Sequence, residues 1–211
     1  MWNVCGWSRD PAQTLRSKIV QSLNLDIIGL CETFLVKDQD ISVDGYKWFG
    51  NNRKVISRRA CRGSGGVGIL VKNSLLASFD VAVVSEKFDG ILWVQLIHKD
   101  SKQTIGVCVC YLPPAGSSRG DQSLEFFDTL KALVIENCQV DELLICGDFN
   151  ARCGDLPDSD PEDNIQSRLV TDKTINSAGR DLISCMRALD MFLLNGRNNV
   201  RMVSRLFLPG D

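Results

Sequence analysis

Two acids in this sequence stand where a protein can do chemistry. Glu32 follows the apolar run DIIGLC and Asp148 follows LLICG, so each is delivered by a segment that reads as a strand stiff enough to hold a carboxylate still. In open α/β sheets such strand ends face the crevice where ligands bind. Paired hard oxygen donors on rigid elements suit Mg²⁺, which takes one or two protein carboxylates at about 2.0–2.1 Å and keeps waters that a phosphate can displace. Asn3 and Asn150 lie beside the same strand ends and supply neutral donors and acceptors able to orient a phosphate or an attacking water. The plainer account is that acids and asparagines are common turn residues. Spacing alone does not separate the two.

The chain that must position these groups has 211 residues, 44% of them apolar, with 24 Lys and Arg against 26 Asp and Glu. That length predicts a single domain over 1–211 with a core of ordinary size. The aromatic and aliphatic content argues against disorder. No apolar run approaches the roughly 18–20 residues a bilayer span requires, so no membrane association is expected. A formal charge of −2 means that nucleic-acid binding would have to come from a local patch. MWNVCGWSRDP lacks a basic leader followed by an apolar segment, which predicts an intracellular protein. The nine cysteines include no CxxC pair and the one histidine is His98, which removes zinc fingers and ribbons. Cys31, Cys108, Cys110 and Cys146 sit inside apolar runs and read as small buried hydrophobes.

Helix and strand signals alternate along the chain. Asp10 as N-cap, Pro11 at the first helical position, and Leu15, Ile19 and Leu23 on one stripe predict a helix ending near Asn24. LDIIGLC reads as a buried strand. The polar stretch 51–66 reads as a loop feeding the strand VGILV, with the glycines of GSGGVG serving a tight turn; the stretch lacks GK[ST] and opens no helix, so a nucleotide-phosphate loop fails on context. ILWVQLI at 91–97 and TIGVCVCY at 104–111 flank the polar HKDSKQ and predict an antiparallel hairpin with an exposed His98. A second helix is capped by Asp121 and carries Leu124, Phe127, Leu130 and Val134 to about Asn137. LLIC reads as a strand buried on both sides, residues 155–163 as a solvated acidic loop, and 176 onward as a helix turning Leu182, Cys185, Met186 and Leu189 inward. FLLNG reads as a short strand and turn. Mixed strands and helices with a hairpin place the fold in the α/β or α+β class.

Several segments, in order, resemble the endonuclease/exonuclease/phosphatase family, and within it the apurinic-type endonuclease domains of non-LTR retrotransposons: WNVCGW, DIIGLCETFL, GSGGVGILV, VCYLPPAG, LLICGDFNAR and NSAGRDLISCMRALDMFLLNGR. The resemblance implies a four-layer sandwich, two mostly antiparallel sheets face to face with helices outside, and a metal-dependent phosphodiesterase site using Mg²⁺ or Mn²⁺. It implies that Glu32 is the metal-binding glutamate with Asn3 beside it, and that the Tyr111 hydroxyl contacts the scissile phosphate. It implies that Asp148 and Asn150 orient the nucleophilic water and support the phosphate. The activity it implies is DNA nicking by a monomeric hydrolase, nuclear when acting on chromosomal DNA.

Some of the pattern is missing. After NGRNN the chain reads VRMVSRLFLPGD, without the Ser-Asp-His with which family members end, and Met1 falls inside the expected first strand. The expectation is therefore a sandwich truncated at both ends and weakened or inactive as a catalyst, the alternatives being a non-catalytic remnant that binds metal or nucleic acid, or a phosphatase or RNA nuclease of the same family. His98 lies among the polar residues of a hairpin and is not expected to replace the missing histidine. Arg53, Lys54, Arg58, Arg59 and Arg62 form a basic cluster that could grip a DNA backbone, or simply face water.

Overall fold

The computed structural model of the protein describes residues 1–7, 12–54, 63–86, 88–117, 123–163 and 165–197. The chain divides into two compact units, one of Met1–Tyr111 with Val140–Asp148, the other of Leu112–Gln139 with Phe149–Asp211.

The first unit holds two four-stranded sheets. One comprises β1 (Trp2–Asn3), β2 (Ile27–Cys31), β3 (Tyr46–Asn51) and β4 (Val67–Lys72) in the order β1-β2-β4-β3, with β1 parallel to β2 and the other pairs antiparallel. The other comprises β5 (Phe79–Ser85), β6 (Ile91–His98), β7 (Thr104–Tyr111) and β8 (Glu142–Asp148) in sequence order; β8 runs parallel to β7 and the rest are antiparallel. This is an α+β sandwich of two mixed, mostly antiparallel sheets.

Period-two alternation builds its layers, because successive side chains of a strand point to opposite faces. Val67, Ile69 and Val71 of β4 join Cys31 and, from the second sheet, Leu92, Val94, Leu96, Val107 and Val109 in one buried cluster. The alternate residues Ile28, Leu30 and Leu70 face the other way and pack with Val4, Trp7 and Val20, the last from α1 (Ala12–Leu23). Between β4 and β5 lies the short α2 (Asn73–Ser78).

The second unit contains α3 (Ser123–Glu136) and α4 (Ser177–Ala188), tied by a Ser123 hydroxyl donating to Asp181 Oδ2 at 3.0 Å. α4 buries Leu182, Cys185 and Met186, with Leu189 just beyond its end, as its spacing predicts.

Other expectations need correction. β8 is an edge strand, half-buried along its length with Leu144 exposed; an apolar run cannot by itself tell an edge from a centre. Among the described side chains of α1 the buried one is Val20, while Leu15 and Leu23 face water. On α3 the buried set is Phe126, Phe127, Leu130, Leu133 and Val134, and Leu124 is exposed. Phe192–Gly196 forms no strand. The acidic loop is not wholly solvated, since Asp158 is 4% exposed. Three elements had no reading in advance, β3, α2 and β5. The hairpin of β6 and β7 forms as expected. Cys31, Cys108 and Cys110 are buried and Cys146 half-buried. The caps Asp10 and Asp121, with Pro11, fall outside the described residues, as does everything after Arg197.

Candidate functional site

The two acids are brought to one edge of the sandwich by strand register. Asn3 pairs with Cys31 across β1 and β2, and Glu32 is the next residue. Tyr111 pairs with Asp148 across β7 and β8. Two hydrogen bonds then cross from sheet to sheet. The Tyr111 hydroxyl donates to Glu32 Oε1 at 2.6 Å, and Asn3 Nδ2 donates to Asp148 Oδ2 at 2.9 Å. Each carboxylate is thus held by a neutral donor from the opposite sheet. For Glu32 the donor is a phenol, which fixes position without cancelling charge.

A third tie on this edge had no reading in advance. Asn51 ends β3 opposite Val67, which is itself opposite Cys31. Its buried amide donates to the carbonyls of Phe88 and Ile91 at 3.0 and 2.8 Å. In the sequence it looks like any asparagine after a strand, and only the partner carbonyls give it a role.

Glu32 owes its direction to a backbone turn. Its φ of 52° is left-handed, a conformation that costs a non-glycine residue about 1–3 kcal/mol and persists only where the surroundings impose it. Those surroundings are specific. Gly6 N–H donates to Glu32 O at 2.7 Å, while Thr33 N–H and Phe34 N–H donate to the carbonyls of Gly66 and Gly65 at 3.2 and 2.9 Å. A Cβ on Gly66, itself at φ +83°, would stand 2.5 Å from Thr33 Oγ1, and one on Gly63 would stand 2.2 Å from Phe34 O. The glycines of GSGGVG therefore let one backbone lie directly against the Glu32 turn.

Electrostatics place both charges together. Burial pushes the Tyr111 phenol up, and its hydrogen bond to Glu32 with the charges of Glu32 and Asp148 push it further, so the hydroxyl stays a donor through the neutral range. The Cys31 thiol is raised to about 12 by burial first, then by the charges of Asp148 and Glu32. Two separate probes thus feel both carboxylates. Among the described residues no three His, Cys, Asp or Glu side chains form a metal-holding cluster. Two carboxylates with amide and hydroxyl neighbours is the donor chemistry that suits Mg²⁺, whereas structural Zn²⁺ calls for a closed set of four ligands.

The remaining expected residues divide. Asn3 is engaged on both sides of its amide, since its Oδ1 accepts from Cys5 N–H at 3.1 Å. The Tyr111 hydroxyl, which the resemblance directs to a phosphate, is bonded to Glu32. Asn150, in the second unit, takes φ 47° and donates its amide to Leu112 O at 2.8 Å. Arg53 is half-buried with its guanidinium bonded to the Ser64 hydroxyl, and Lys54 pairs with Glu86 at 3.6 Å. Arg58, Arg59 and Arg62 lie outside the described residues. His98 ends β6, whose other end, Ile91, neighbours Tyr111. Seven steps of roughly 3.4 Å separate the two ends. Its Nδ1 accepts the N–H groups of Asp100 and Ser101 at 3.3 and 3.1 Å, so it caps the hairpin far from the acids.

A two-sheet sandwich with paired acids at one edge defines a class that sequence comparison also finds. The profile of the endonuclease/exonuclease/phosphatase family matches residues 2–209, and the chain belongs to that family. Among solved structures it is similar to the endonuclease domain of TRAS1, a telomere-specific non-LTR retrotransposon (TM-score 0.56, 16% identity, 94% of this chain and 73% of that one). It is also similar to the 3′ phosphatase NExo from Neisseria (TM-score 0.56, 16% identity, 89% and 69%) and to the AP endonuclease LMAP from Leishmania major (TM-score 0.52, 21% identity, 72% and 54%). The chain spans about half the length of the Leishmania enzyme. At these identities the likeness is one of fold. No curated protein sequence matches significantly. Among the described residues no helix is long and apolar enough to cross a membrane.

Proposed function

We propose that this chain is a divalent-cation-dependent phosphodiesterase of the retrotransposon-endonuclease type, which nicks DNA. The observation that carries the reading is the crossed pair of hydrogen bonds, Tyr111 to Glu32 and Asn3 to Asp148, that gathers two carboxylates from two sheets. Glu32, with Asn3 beside it, would hold Mg²⁺ or Mn²⁺, and the ion when bound would neutralise charge developing on the phosphate. Asp148 accepts a proton from the attacking water, and the Asn3 amide fixes the orientation of that carboxylate. The Tyr111 phenol, kept protonated by its surroundings, holds Glu32 in place. Asn150 supports the phosphate. Arg53, Lys54, Arg58, Arg59 and Arg62 supply charge toward a DNA backbone. The protein acts as a monomer, in the nucleus when its target is chromosomal DNA.

Nicking of supercoiled plasmid in Mg²⁺ tests this. Glu32→Ala and Asp148→Asn are each expected to slow it by at least about 10²-fold, the usual worth of a positioned proton-transfer or charge-stabilising group. Equal rates for wild type and Glu32→Ala would remove the reading. Faster release of phosphate from a 3′-phosphorylated oligonucleotide or an inositol phosphate than nicking of duplex DNA would move the substrate to the family's other chemistries.

A further inference from the structure

We infer that Asn176 is a positioning residue for Asn150, and that it does more than start a helix. As N-cap of α4 its Oδ1 accepts the Gly179 N–H at 2.8 Å. That alone is an ordinary cap. The same oxygen also accepts the Arg152 N–H at 3.0 Å, the Asn176 backbone N–H donates to Arg152 O at 3.0 Å, and Asn176 Nδ2 donates to Asn150 O at 2.9 Å. One side chain and its own backbone therefore bond both ends of the turn Asn150–Arg152, the second half of GDFNAR.

Two further observations show that the turn needs holding and that α4 is built to hold it. Asn150 sits at φ 47°, in the left-handed region. A Cβ on Gly179 would stand 2.0 Å from Arg152 O, so the first turn of the helix is stripped of a side chain where it meets the loop. Asn150 is consequently fixed from two directions, its carbonyl by Asn176 and its own amide by Leu112 O. The effect on turnover rests on the function proposed above, in which Asn150 supports the phosphate; the effect on the turn does not.

Asn176→Asp separates the two roles. Aspartate caps a helix as well as asparagine does and keeps acceptors for Gly179 and Arg152. It has no donor for Asn150 O, and it sets a carboxylate oxygen against that carbonyl. If Asn176 positions the turn, Asn176→Asp should stay folded with wild-type helix content by circular dichroism, while the Asn150 side-chain amide exchanges faster by NMR and kcat for plasmid nicking falls at least about tenfold at unchanged KM. Asn176→Ala should lose cap and turn together. An Asn176→Asp variant with wild-type amide exchange at Asn150 and wild-type kcat would overturn the inference. Faster exchange at Asn150 in a protein whose wild type nicks nothing would uphold the inference and sink the proposed activity instead.

Discussion

Two regions of this molecule hold acids in place, and they do it with opposite chemistry. In the second unit Asp158 is enclosed by cations. Arg197 grips it through two bonds of 2.8 and 2.9 Å, Arg168 lies 3.7 Å away, and Leu193 N–H donates at 2.7 Å. Burial by itself would raise this carboxyl, but those hydrogen bonds and the Arg197 charge outweigh it and hold it below the usual carboxylate range. In the first unit Glu32 and Asp148 accept hydrogen bonds from a phenol and an amide that reach across from the opposite sheet. A carboxylate gripped by arginine has its charge spent on the fold, whereas Glu32 accepts from a phenol, a neutral donor. The contrast is between a carboxylate enclosed by cations within one unit and a carboxylate held by a hydroxyl from the facing sheet.

The largest test of that contrast is Arg197→Ala. Breaking a buried pair leaves an uncompensated charge, so unfolding in urea should show a loss of about 3–5 kcal/mol. Combining Asp158→Leu with Arg197→Met should recover most of it. The same pair sets an acid limb. The depressed Asp158 carboxyl contributes stability in full above its unfolded pKa of about 3.9, and that contribution drains as pH falls through the lower folded value. Asp158→Asn should flatten this limb.

Next in size is the response to Mg²⁺. At a concentration one hundred times its Kd the ion should stabilise wild type by about 2.7 kcal/mol, and Glu32→Gln should abolish this thermal shift while unfolding like wild type without metal. A loss of stability in metal-free Glu32→Gln comparable to that of Arg197→Ala would place Glu32 among the structural acids. Tyr111→Phe removes one hydrogen bond to a charged group and should cost about 1.5–3 kcal/mol. The smallest effect is expected for His98→Ala: removing the hairpin cap should cost about 0.5–1.5 kcal/mol and leave plasmid nicking unchanged. A nicking defect there would break the assignment of the site to the other end of β6.

Legibility followed the range of the forces involved. α4 could be read because its cap Asn176, its glycine Gly179 and its inward residues are local to twelve positions. Glu32 and Asp148 could be read because an apolar run ending in an acid is also local. The status of β8 could not, since LLIC is equally apolar at an edge and in a centre. Asp158 was hidden among acids of the same loop, because what distinguishes it is an arginine far along the chain. Asn51 reads as the head of a loop and Asn176 as the start of a helix, and only their partner carbonyls give either a further role.

The chain's own order of residues determined most of the strands and helices, β3, α2 and β5 excepted, and that two acids end two strands, because backbone propensity and side-chain period act over a few positions. Only the tertiary structure decided that Tyr111 reaches Glu32 and Asn3 reaches Asp148, since each bond joins different sheets and depends on both registers at once. A shift of one residue in either sheet would turn every side chain of that strand to its other face. The motifs would survive such a shift intact, and the site would be gone.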